Sequence, residues 1–98
     1  MITTKNQSEA QKIAARLVHE RLIACANIVK DVESIFRWQG KVERAREVLL
    51  VLKSTKTKLP KIIKTVKSLH SYDVPEIIAL PVAGGNPSYL RWVKESIR

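Results

Sequence analysis

Apolar positions recur at two different spacings along this chain, and the switches between them mark its elements. Ala10, Ile13, Ala14, Leu17, Val18 and Leu22 fall on one face at helical spacing, which predicts a helix over residues 7–22 behind a stub of strand at 2–4. Asn6 followed three residues later by Glu9 reads as a capping box at its start. Lys12, Arg16, His19 and Glu20 share the polar side, where a lone histidine is read as solvated. From 24 to 38 the period becomes two, with Val32, Ser34, Phe36 and Trp38 in phase and Lys30-Asp31 breaking the run, which predicts a strand with a bulge. Gln39-Gly40 supplies a two-residue turn. Residues 41–53 return as a second strand, whose ending Val48-Leu49-Leu50-Val51-Leu52 reads as covered on both faces.

Pro60 cannot sit deep in a helix, but with Thr57 as N-cap it occupies the third helical position, so a second helix is predicted over 58–69. A short apolar strand at 76–82, a loop at 83–85 and an Asn86-Pro87 start precede a last helix carrying Leu90, Val93 and Ile97. Two helical crossovers flanking a hairpin give an α+β, ferredoxin-like split βαβ sandwich over 1–98: a four-stranded antiparallel sheet, a long hairpin and an extra C-terminal helix. The hairpin is too long for its own domain. Strands of this length extend roughly 40 Å, against a radius of gyration of about 13 Å for a chain of this size. An overhanging ribbon bearing Ile35, Phe36, Trp38 and Val42 needs another subunit to cover it, which predicts an obligate oligomer.

No run of residues is apolar enough for a membrane helix, the start Met1-Ile2-Thr3-Thr4-Lys5 lacks signal-peptide character, and a single cysteine cannot form an internal disulfide. These features predict a cytoplasmic protein. The net charge of +9 raises the question of nucleic acid, and Lys56, Lys58, Lys61, Lys64 and Lys67 gather in one stretch. They fall opposite Leu59, Ile62, Ile63 and Val66 with no aromatic among them, so a solvated helix face is preferred and nucleic acid disfavoured.

Candidate chemistry gathers at two helix-to-strand junctions. Cys25 is read either as a small core residue or as a metal ligand. His70 either caps helix carbonyls or offers a neutral ring to Cu(II). Tyr72 and Glu76 either hydrogen-bond across a subunit seam or line a cavity, where Glu76 is a candidate ligand. Trp38 and Trp92 are packing anchors. Lys53 is either simply exposed at a strand end or holds an anion. No glycine-rich phosphate loop and no nucleophile with an evident base is present, so no enzyme is predicted.

The strings Glu20-Arg21-Leu22-Ile23-Ala24-Cys25-Ala26-Asn27-Ile28 and Phe36-Arg37-Trp38-Gln39-Gly40-Lys41-Val42-Glu43, followed by segments 70–77 and 86–92, closely resemble the CutA family of divalent-cation tolerance proteins. The resemblance covers nearly the whole chain in order. It implies a ferredoxin-like subunit, a homotrimer built by long hairpins, a trimer architecture similar to that of PII signalling proteins, and binding of copper and other divalent cations. Some relatives carry a cysteine in the first strand and a His-His pair; the matching positions here are Ile2, Leu69 and His70, so one of those three ligands remains. Ser71 and Asp73 depart from the proline and glutamate common in the family. The expectation is a non-enzymatic cytoplasmic homotrimer that binds divalent metal, copper foremost, through Cys25, His70 and Glu76. Trp38, Lys53 and Tyr72 are candidate cleft-lining residues. The alternative is a PII-like small-molecule sensor or structural signalling scaffold.

Overall fold

Asn6 separates the first strand from the first helix: its extended backbone (φ −157°, ψ 170°) ends β1 (Ile2–Thr4), and its side chain accepts the Glu9 N–H at 2.8 Å to open α1 (Gln7–His19). The computed structural model describes residues 1–98. Ala10, Ile13, Ala14 and Leu17 form the buried stripe of α1. The helix stops three residues before the expected end. Arg21 turns left-handed (φ 57°), its N–H donating to the Val18 carbonyl, and the Leu22 N–H folds back to the Leu17 carbonyl at 3.0 Å. Leu22 therefore kept the helical apolar phase because it packs back on the last turn.

The long hairpin is β2 (Cys25–Trp38) and β3 (Lys41–Lys53), paired antiparallel from Cys25↔Lys53 to Trp38↔Lys41. The register shifts between Val29 and Val32, with Asp31 at φ 61°, which is the expected bulge. Gln39 and Gly40 both adopt positive φ (49° and 78°), as a two-residue turn matching the strand twist requires. β1 pairs with β3 on its other side, giving the order β1-β3-β2.

The fourth strand expected over 76–82 does not form. Ile77 makes one bridge to Ile2, and Ile78 and Met1 exchange two hydrogen bonds (2.7 and 3.1 Å). β1 has only three residues, so nothing further along remains to pair with. The segment still lies outside β1 in the position a split βαβ sheet assigns to its last strand, and the fold is ferredoxin-like.

The second helix also starts differently. A single 3-10 turn (Lys56–Lys58) precedes α2 (Leu59–Leu69), placing Pro60 at the second helical position, and Thr57 caps nothing: its hydroxyl meets that of Thr55 at 3.2 Å. Ile62 and Val66 point inward. In α3 (Pro87–Ser96), Asn86 accepts the Ser88 N–H and Val93 is buried, while Tyr89 and Trp92 remain exposed.

One core lies between the helices and one sheet face: Ile2, Val48 and Leu50 meet Ala10, Ile13, Leu17, Ile62 and Val66. Leu49 and Val51, on the opposite face of β3, are only half-buried and Val29 is exposed. The expectation that this strand is covered on both faces is therefore not met within one chain. The ribbon stretches the molecule to 44 × 26 × 22 Å.

Candidate functional site

Thr3, in the middle of β1, is the hub of a buried polar cluster. α2 ends at Leu69, and the extended backbone of His70 turns its ring under β1, where Nε2–H donates to the Thr3 carbonyl at 2.7 Å. The Tyr72 backbone N–H donates to Nδ1 at 3.1 Å. This pair of contacts assigns a neutral ring protonated on Nε2. The ring is fully buried. On the other side of Thr3, the hydroxyl donates to Glu76 Oε1 at 3.5 Å.

Tyr72 lies 4.8 Å from the His70 ring, centroid to centroid, and its hydroxyl donates to the buried carboxylate of Glu47 at 2.8 Å. Burial, then the bond to Glu47 and the charges of Glu47 and Glu9, push the phenol up to about 12.

Glu9 completes the cluster. Its Oε1 lies 3.4 Å from His70 Nδ1, is buried, and has no hydrogen-bond partner. Since Nδ1 already accepts from Tyr72, two acceptors face each other across that gap. Such a contact is unfavourable until a proton or a cation enters it. Three of the chain's nine carboxylates, Glu9, Glu47 and Glu76, thus gather around Thr3 in a protein of net charge +9. The cluster is a local acidic site on a basic molecule, which favours cations.

Of the residues expected from the sequence, His70 and Tyr72 are in contact with each other, and Glu76 meets them only through Thr3, His70 at its carbonyl and Glu76 at its hydroxyl. Cys25 does not join them within the chain. It sits opposite Lys53 whereas Thr3 sits opposite Leu49, four residues along β3, roughly 13 Å away. Its sulfur instead accepts from Lys53 Nζ at 3.8 Å, so these two candidates share a separate corner. Trp38 is at the ribbon tip, opposite Lys41, and lines nothing near either group. Nowhere do three His, Cys, Asp or Glu side chains converge in one chain in a way that would hold a metal ion.

The model of the CutA1 divalent ion tolerance protein family matches residues 1–96. This chain belongs to that family. The divalent-cation tolerance protein CutA of Thermus thermophilus is 50% identical over 96 residues, covering 98% of this chain and 93% of its own. A solved structure of the Thermus thermophilus protein superposes with a TM-score of 0.97 at 49% identity, over 99% of this chain and 94% of that one. The chloroplastic protein CutA 1 of rice is 43% identical over 97 residues, which are 99% of this chain but 55% of the rice protein, so the chain spans about half that relative's length. No helix of this CutA-family chain is long and apolar enough to cross a membrane.

Glu9 and Glu47 were missed from the sequence. Glu9 was read as a helix cap, and half of that reading holds: its amide is capped by Asn6, while its carboxylate turns to His70 instead of back to Asn6. Glu47 is the one acid in the inner half of β3, immediately before the apolar run, and a charge there is the signal that pointed to it.

Proposed function

We propose that this CutA-family chain works as a cytoplasmic homotrimer that binds divalent cations, copper foremost, and contributes to metal-ion tolerance without catalysing a reaction. The observation carrying the reading is the unpartnered Glu9 Oε1 facing the lone pair of His70 Nδ1. A divalent cation relieves that opposition, and imidazole with carboxylate suits Cu(II) and Zn(II). Glu9 and His70 would hold it, displacing the Tyr72 amide from the ring. Glu76 stands on the far side of Thr3 and does not converge with Glu9 and His70 within one chain. The remaining ligands come from water or from another copy, and Cys25, at the other end of the sheet, takes part only in a site shared between copies.

Assembly has independent support in the uncovered apolar ribbon, and three is the number that the family resemblance implies. The free thiol fits a reducing compartment. Cys25 has Lys53 beside it and not His70, so thiol–imidazole chemistry has no pair within the chain.

Calorimetric titration of the intact protein with Cu(II) tests the site. Glu9→Gln and His70→Ala should each weaken binding about tenfold or more, as ligand loss does, with Cys25→Ser as a probe of the shared site. Unchanged affinity in both of the first two variants refutes the Glu9–His70 site. A thermal-shift response to organic anions with none to divalent metals would instead favour the sensor reading.

A further inference from the structure

Two lysines of α2 border an open depression on the surface. α1 and α2 pack side by side and leave an open groove of about 450 Å³, lined by Lys61, Lys64, Thr65 and Ser68 of α2 and by Arg16, Glu20 and Leu22 from α1 and the turn that follows it. Its one acid, Glu20, is already bridged to Arg16 along the helix. The charge is one-sided over a long stretch: the 25 residues between Glu47 and Asp73 hold six lysines and no Asp or Glu. Like charges this dense repel one another, a cost that a polyanion occupying the groove would relieve.

We propose that the α1–α2 groove binds an extended acidic polypeptide segment of a partner protein. Three observations choose this occupant. The groove contains no aromatic side chain on which a base could stack, which disfavours single-stranded nucleic acid. Leu22, the one apolar residue of the lining, is buried, as are Ile62 and Val66 of α2, so the groove presents no exposed apolar group to insert into a lipid surface. Apart from Val18 on α1, the large exposed apolar residues lie on the ribbon and along 74–92 and none of them lines this groove, so assembly through those two regions would leave the groove open.

Fluorescence anisotropy of a labelled oligoglutamate peptide with the full-length protein is the test. Saturable binding is expected that weakens about tenfold between about 20 and 300 mM salt. Lys61→Glu with Lys64→Glu should reduce affinity about tenfold or more, and Lys61→Gln with Lys64→Gln by a smaller factor. Lys5→Glu with Lys30→Glu makes the same change in net charge around a different depression, beside the N-terminus of α1, and should leave affinity within about threefold. An equal loss in both charge-reversal pairs would reduce the effect to net charge and overturn the groove. So would absence of binding at low salt, or displacement of the peptide by oligouridylate or phosphatidylserine vesicles at lower charge concentration. Cu(II) affinity is expected to be the same in both Lys61/Lys64 variants, so failure here is distinguishable from failure of the metal site.

Discussion

Tyr72 joins Glu47 to His70, its hydroxyl donating to the carboxylate and its backbone N–H to the imidazole, and its titration is the most direct handle on the site. An ordinary tyrosine loses its proton near 10, whereas here burial and the Glu47 bond hold it up to about 12. Below pH 10 the folded and unfolded chains both keep the proton and the full stabilisation is present. Between 10 and about 12 the unfolded chain releases it while the fold retains it, so stability falls with rising pH, and above that range the contribution is gone. Urea midpoints measured across this range should decline for the native protein and decline less for Tyr72→Phe; parallel slopes would show that the phenol is not coupled to folding. At neutral pH, Tyr72→Phe should cost about 1–3 kcal/mol, because it leaves the buried Glu47 carboxylate without its donor. The residues of this site were unequally legible. His70, Tyr72 and Glu76 stand close in sequence and announce a junction. Glu9 and Glu47 reach them only through the packing of α1 and β3 against β1, contacts that span tens of residues and leave no local pattern.

The end of α1 shows how an element can be specified by packing against its own backbone preference. The Leu22–Leu17 fold-back requires a left-handed residue between helix and strand, and the chain supplies Arg21 where glycine is the usual solution. A side chain in that conformation is strained by roughly 1–2 kcal/mol, partly offset because glycine leaves a more flexible unfolded chain. Arg21→Gly should therefore stabilise the protein by about 0.5–1 kcal/mol in denaturant unfolding at fixed protein concentration. A loss of stability would show that the arginine side chain, not its backbone, holds the junction. Elements set by local chemistry were readable: the Asn6 and Asn86 starts, the bulge at Lys30-Asp31 and the turn at Gln39-Gly40 all fall where expected. The strand over 76–82 was not, because its apolar composition is local while its pairing depends on the three-residue length of β1.

At the scale of the molecule, the distal ribbon is the part a single copy cannot account for. Opposed residues in a sheet share a face, so Ile35 and Val42, paired with Arg44 and Arg37, lie on one side. Phe36 and Trp38, paired with Glu43 and Lys41, lie on the other. All four apolar side chains are between 41% and 62% exposed. A ribbon apolar on one face can rest on a surface, but one apolar on both must be sandwiched. Only 15 of 98 residues are buried in the isolated chain, too few for a domain of this size to be secure without further burial between copies. Light scattering should therefore give a multiple of the 11.1 kDa chain mass at micromolar concentration, three times it for the homotrimer proposed from the family resemblance, and the thermal midpoint should fall on dilution, because subunit association stabilises by mass action. Ile35→Lys with Val42→Lys changes one face only and should shift the mass towards that of one chain, with a lower midpoint. Trp38→Lys on the other face should act in the same direction if both faces are covered. A folded native protein with the mass of one chain at that dilution would leave the two-sided ribbon bare in water and overturn the sandwich. Loss of assembly from one face alone would assign the contact to that face.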